Sequence, residues 1–328
     1  MTSQITIIGL GQIGASIGLA LEDYKKDIFR VGHDKNMTTA KEAQKIGAVD
    51  KIKRNLPNSV IDADIIILSL PFGEIYDTLK YIAQDVKEDA LILDTGVGKA
   101  AVYEWVQELL PAGRTYIGLA PVINPEYLYE KQFGINAARK DLFDNAPTMI
   151  ATPSTASAAA VDAAVTLVRL IGSQPLFTDL HEADGVMASA QLMPRLLAAA
   201  LVNTTVGSSG WGETKKVAGR AFAEATRPFL HQEGGASLAA AAHANRQIMN
   251  FKLDEAIASL QHIKTLLNND DTEALLAYLH DAQEAREIWE VEREAAKWLL
   301  SGEGQGRDVR MGSLTAQLFG FKDRRQDR

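Results

Sequence analysis

The run Gly9-Leu10-Gly11-Gln12-Ile13-Gly14 constrains this chain more than any other feature. It follows the apolar stretch Ile5–Ile8 directly and leads into a helix-forming segment. That is the strand–turn–helix setting that gives a GxGxxG its meaning. Gly9 permits the tight turn, Gly11 lets a pyrophosphate approach the backbone, and Gly14 lets helix pack closely on strand. Gly18 continues the small-residue face. A phosphate then rests at the helix N-terminus, where free N–H groups and the helix dipole favour an anion. Asp34 lies 20 residues after Gly14, just past a second apolar run. A carboxylate there accepts hydrogen bonds from ribose hydroxyls and repels a 2′-phosphate, so NAD is expected as the cofactor. Lys35 follows Asp34 and offsets part of its charge, which keeps NADP as the alternative.

Further apolar runs extend the pattern: Ile28–Val31, Ile65–Leu70, Leu91–Leu93, Tyr116–Leu119, Thr148–Ala151 and Pro175–Thr178. Runs this apolar predict strands buried on both faces, and their alternation with helical stretches predicts a doubly wound, mostly parallel α/β sheet. In such a sheet ligands bind outside the carboxyl ends of the strands. Ser69-Leu70-Pro71 and Thr95 are therefore expected beside the cofactor, and Lys99 is placed to offer a cation to an anionic substrate. On residue type alone, Lys99 serves equally well as a solvated surface lysine.

Near residue 180 the chain changes character, and no convincing strand follows. Helices are expected over 181–206, 213–225, 236–267 and 271–300, separated by breaker sequences such as Gly207–Gly210, Gly234–Gly235 and Asn268–Asp271. The domain division reads 1–179 for an NAD-binding Rossmann-like domain, 180–300 for a helical dimerisation and substrate domain, and 301–328 for a loosely ordered tail with one turn near Leu314–Phe319. The helical half has more apolar positions than one copy can cover, so a homodimer is expected.

Composition removes several classes. Among 328 residues, 34 Lys and Arg stand against 42 Asp and Glu, a formal charge of −8, which argues against a nucleic-acid clamp or a polybasic membrane binder. There is no cysteine, hence no disulfide framework, thiol nucleophile or Cys-ligated metal, and a reducing cytoplasm fits. The apolar start has no basic flank and is interrupted by Gly, Gln and Ser, so it reads as neither signal peptide nor membrane span. His231 and His243 show no metal-ligand spacing. No metal is expected.

Several segments together resemble the prephenate dehydrogenase family, which includes arogenate and cyclohexadienyl dehydrogenases. The opening Gly9–Leu21 resembles the family's GLGLIGGSLALAL. Ala63–Pro71 resembles its AD-hydrophobic-VP segment, and Leu91–Lys99 its DVGSVK loop. Asp141-Leu142-Phe143 with Met149–Pro153 is similar to LF…ILTP. His181–Asp184, Pro194–Leu201, Ala225-Thr226-Arg227 and Ala244-Asn245-Arg246 follow in the order of its helical-domain motifs. The resemblance implies NAD-linked oxidation at the ring C4 hydroxyl of a cyclohexadiene, with loss of the ring carboxylate as CO₂, in tyrosine biosynthesis. It implies a dimer of helical halves and Arg227 as the guanidinium that holds the ring carboxylate, with Arg195 as a second.

The departures fall at the chemistry. The family's catalytic His is Ala120 here, its loop Ser is Val97, and the SHLPH histidines become Gln191 or Leu192 and Arg195. An alanine cannot move a proton, and general acid–base help is worth about 10²–10⁴-fold. His181, at a helix start, and Asn124, after the run Tyr116–Leu119, are the substitutes on offer. Three functions stay open: a prephenate or arogenate dehydrogenase, an NAD-dependent dehydrogenase of another anionic hydroxy-substrate, and an NAD-binding protein without catalysis.

Overall fold

A computed structural model describes residues 2–230 and 234–295; His231 and the expected tail from 301 lie outside them. Among the described residues, eight strands form one sheet in the order β3-β2-β1-β4-β5-β6-β7-β8. They are β1 Ser3–Ile8, β2 Ile28–His33, β3 Lys51–Ile52, β4 Ile65–Leu68, β5 Leu91–Asp94, β6 Thr115–Pro121, β7 Pro147–Ala151 and β8 Gln174–Thr178. All neighbours are parallel except β6 and β7. The two-residue β3 is the strand sequence reading missed; it is too short to carry an apolar pattern.

Helices α1 Gln12–Ala20, α2 Met37–Lys45, α3 Pro57–Val60, α4 Phe72–Ile82, α5 Lys99–Leu109 and α6 Ala158–Leu170 alternate with the strands. The central strands are buried throughout: Ile65–Leu68 and Leu91–Asp94 expose nothing above 6%. This is why their sequences are continuous apolar runs without alternation. Arg30 and Asp94 are the charged residues buried inside strands among the described residues, and Arg30 lies mid-strand. It is 2% exposed, forms a bidentate pair with Asp50 (Nε–Oδ2 3.0 Å, Nη2–Oδ1 2.6 Å), and donates to Gly18 O and Gly47 O.

The helical half comprises α7 Leu180–Met187, α8 Met193–Val206, α9 Trp211–Val217, α10 Arg220–Thr226, α11 Gly234–Ala244, α12 Arg246–Asn268 and α13 Thr272–Glu294. Two expected helices are divided. Gly219 separates α9 from α10, and Asn245, whose Nδ2 bonds back to Ala241 O at 3.0 Å, separates α11 from α12. Between α7 and α8 the chain makes a π-helical turn, Ala188–Leu192. Pro194 has no N–H for the ordinary helical bond, and the wider turn accommodates it.

The chain forms two compact units. One runs to Ala183 and resumes at Trp289; the other is Asp184–Ile288. The division thus falls inside α7, a few residues beyond the expected 179/180; the first turn of α7 is tied to the end of β8, where Thr178 Oγ1 donates to Glu182 at 2.7 Å. The end of α13 also belongs to the sheet unit. There Glu290 accepts from Tyr129 OH at 2.5 Å, and the buried Arg293 guanidinium donates to Ile123 O.

Candidate active site

The nucleotide end is built around Gly9, whose N–H donates to His33 O at 2.9 Å. Its φ of +92° is a left-handed value, and a Cβ there would lie 2.1 Å from Ser69 O. A Cβ on Gly14 would lie 2.0 Å from Gly9 O. Gly11 differs: a Cβ there meets nothing within 4 Å, so its glycine is not needed for packing and leaves room for a ligand. Gly11 also precedes α1 as its N-cap without any side-chain cap, so the N–H groups of the first turn, Gln12 and Ile13 among them, meet no capping side chain. The Asp34 carboxylate accepts from Leu10 N at 2.9 Å and from Asn36 N at 2.8 Å, which fixes it against the glycine turn. Lys35 is ion-paired with Glu74, so the offset to Asp34 is itself neutralised.

Two backbone bonds carry the ladder past the strand ends. Ser69 N donates to Ile8 O at 2.8 Å and Thr95 N to Leu68 O at 2.9 Å. Ser69, Leu70, Pro71 and Thr95 therefore gather at the carboxyl edge beside Gly9. The open Gly11, the uncapped helix and the anchored Asp34 fit a dinucleotide.

The positions of the family's Ser and His are apolar and covered, Val97 at 8% and Ala120 at 3% exposed. Lys99 is not where sequence reasoning put it. Its side chain is fully buried, and its ammonium donates to Asp94 Oδ2, Asp94 O and Leu119 O at 2.7–2.9 Å. The ammonium is tied to the ends of β5 and β6 inside the fold, so it does not lie on the surface. Asn124 is also committed elsewhere. It is 4% exposed, its Oδ1 accepts from Glu126 N and its Nδ2 donates to Asp141 O, which makes it the cap of the turn Pro125–Tyr127 rather than a hydroxyl-orienting group. His181 is exposed at the start of α7, where Asp179 Oδ1 accepts from its backbone N–H at 2.8 Å.

Tyr127 packs in the loop after β6. Its OH donates to Asp141 at 2.7 Å, and that carboxylate holds the phenol above its ordinary value, so it is no base. Arg139 stacks on the Tyr127 ring and donates to Glu130 at 2.7 Å, while its N–H reaches Ser16 Oγ on α1. In the helical unit, Arg195 stands on α8, and Arg227 opens the 3₁₀ turn Arg227–Leu230. The turn packs against α8, so the two guanidiniums sit on touching elements.

Sequence reasoning missed Arg30–Asp50 and Asp94–Lys99. A lone arginine between Phe29 and Val31 in an apolar run, and an acid at a strand end five residues before a lysine, were the available signals.

Two family models match the chain. That of the prephenate dehydrogenase nucleotide-binding domain covers residues 17–176, and that of the prephenate dehydrogenase dimerisation domain covers residues 179–281. The chain belongs to the prephenate dehydrogenase family. It is therefore a dehydrogenase acting on a CH–OH group. It is 26% identical over 291 residues to a prephenate dehydrogenase of Bacillus subtilis, covering 88% of this chain and 76% of that one. It is 25% identical to a cyclohexadienyl dehydrogenase of Zymomonas mobilis, over 86% and 94% of the two chains. The Aquifex aeolicus prephenate dehydrogenase, solved with hydroxyphenyl propionate and NAD+, shares the fold with a TM-score of 0.75. That likeness spans 88% of this chain and 98% of that one at 18% identity.

Proposed function

We propose that the protein is a cytoplasmic, homodimeric NAD-dependent dehydrogenase that oxidises prephenate or arogenate in tyrosine biosynthesis. The observation that carries the substrate reading is the pair of guanidiniums. By resemblance Arg227 matches the arginine that holds the ring carboxylate in the family, and Arg195 lies on α8, against which the turn Arg227–Leu230 packs. Guanidinium binds carboxylate bidentately and stays charged, so the two suit a dianionic ring substrate. Asp34 supports NAD over NADP, because its fixed carboxylate would repel a 2′-phosphate. When bound, NAD supplies the hydride acceptor. The helical run Leu180–Val206 is long and apolar enough to cross a membrane, and little of it is buried in one protomer. A second copy covering it accounts for both facts.

In this reading the chain binds and orients, and contributes little proton transfer. Arg227 holds the ring carboxylate, which leaves as CO₂. Ala120 offers nothing to the C4 hydroxyl, so water or a substrate group takes that contact, at a cost of about 10²–10⁴ in rate. The test is NADH formation on adding prephenate or arogenate to the purified protein with NAD; no turnover on either sinks the substrate assignment. The buried Val97 and Ala120 favour a second reading, an anionic hydroxy-substrate that needs no His or Ser. A screen of hydroxy acids with NAD distinguishes it.

A further inference from the structure

At the end of β5 the chain buries an ion pair that the proposed reaction does not use. Lys99 and Asp94 side chains are both 0% exposed. The ammonium donates to Asp94 Oδ2 at 2.8 Å, Asp94 O at 2.9 Å and Leu119 O at 2.7 Å. Asp94 Oδ1 accepts from Gly96 N at 2.9 Å, and Tyr116 OH donates to Oδ2 at 3.4 Å.

The position matters. The β5–β6 ladder ends at Asp94 opposite Gly118, and Leu119 is the first residue past it. Lys99 supplies the next tie between the two strand ends. Ala120 follows Leu119 directly, and Val97 lies two residues before the lysine. One ammonium thus ties together the two segments, after β5 and at the end of β6, that carry the positions of the family's Ser and His. The neighbouring strand makes room for it: a Cβ on Gly118 would lie 2.7 Å from Lys99 Cδ and 3.2 Å from its Cγ.

Stability is a weak reason for such an arrangement. Taking two ions out of water is costly, and packed apolar residues of equal volume serve as well or better. What apolar residues cannot supply is direction. Three donors aimed at named oxygens hold the Asp94 and Leu119 carbonyls in place.

We propose that Lys99, held by Asp94, is a positioning residue for the nicotinamide end of the cofactor. It locks the loop Thr95–Val97 and the strand end Leu119–Ala120 into one wall at the carboxyl edge of the sheet. The adenosine end is held separately, by the turn Gly9–Gly14 and by Asp34. The proposal rests on the NAD reading above.

Calorimetric titration with ADP-ribose and with NAD separates the two ends, and the emission of bound NADH reports the surroundings of its reduced ring. The informative variant is Lys99→Met with Asp94→Asn, which removes both charges and leaves no uncompensated ion in the core. It is expected to bind ADP-ribose as the parent does, to bind NAD about tenfold or more weakly, and to shift NADH emission toward that of free NADH. Unchanged NAD affinity and emission would overturn the proposal. So would equal weakening of NAD and ADP-ribose, or a double variant that no longer folds, since each makes the pair an element of the fold alone. A parent that binds neither NAD nor NADH would instead overturn the cofactor reading, and this proposal with it.

Discussion

In the sheet unit, helix meets strand through glycine: backbone oxygens lie within about 2.1 Å of where Cβ atoms on Gly9, Gly14 and Gly18 would stand. Its central strands are buried on both faces, and its strand arginine, Arg30, is held by Asp50, Gly18 O and Gly47 O. In the helical unit, Leu197, Leu201, Phe251, Leu260 and Leu276 are all exposed, and few helix positions are buried. The first unit completes its core within one chain. The second leaves its core open, as a surface meant for another copy does. Substitutions in the first should therefore act on each protomer alone, whereas those in the second should act through assembly and the anion site.

The largest effect is expected where packing is tightest. Gly9→Ala combines a left-handed φ with a clash against backbone and should cost about 3–5 kcal/mol of stability, abolishing cofactor binding. Gly11→Ala is its control. With open space around it, the methyl should leave thermal stability unchanged while weakening NAD binding, because it occupies the room left for the pyrophosphate. Equal losses of Tm in the two variants would mean that the turn serves packing alone.

Next comes Arg227→Ala in the helical unit. Loss of a charge-assisted bidentate contact costs about 2–5 kcal/mol, or about 30- to several-thousand-fold in kcat/KM. KM for the anionic substrate should rise while NAD affinity, a property of the other unit, stays level. An unchanged kcat/KM would place the substrate elsewhere. The converse substitution, Ala120→His with Val97→Ser, should raise prephenate turnover if the rest of the pocket is in place. Failure on both prephenate and arogenate would favour the other hydroxy-substrate.

A smaller effect is expected from Asp34→Ala, which should narrow the preference for NAD over NADP by about 1–3 kcal/mol. Competitive titration of the two dinucleotides reads it. Equal affinities in the parent protein would remove the role assigned to the carboxylate.

The sheet unit was largely legible because its constraints are local. A GxGxxG behind a strand and apolar runs of three to six residues predict seven of the eight strands and a mostly parallel, doubly wound sheet, but not the strand order. Lys99 and Asn124 were misplaced for a common reason: sequence gives the position along the element but not the side to which a long or polar side chain turns. Lys99 sits at the start of α5, yet its stem runs inward across Gly118. Asn124 sits after β6, yet its amide caps the next turn. The helical unit was legible as helices but not in its breaks, since Asn245 and Gly219 act through single local bonds or conformations. The anion site proposed for it rests on resemblance, because two arginines separated by 32 positions, 195 and 227, carry no local pattern.

The smallest effect is a pH dependence that belongs to the sheet unit alone. Burial pushes the Asp50 carboxyl up, but hydrogen bonds and charge from Arg30 outweigh it and hold the group below its ordinary value of 3.8. A carboxyl depressed in the folded state contributes stability above its unfolded value and loses it as pH falls through the folded one. The contribution is thus fully present at neutral pH and declines below about pH 4. Protonation would leave Arg30 buried against Gly18 O and Gly47 O without its counter-charge, loosening the joint between β2, α1 and the segment before β3. Thermal unfolding from pH 7 to 3 should show the parent losing about 2–4 °C more than Arg30→Gln with Asp50→Asn, which has no charge to lose. The apolar faces of the helical unit do not titrate, so dimer mass by light scattering should hold across the same range while Tm falls. Parallel Tm curves for parent and variant would show that Arg30–Asp50 does not set the acid sensitivity of the sheet unit.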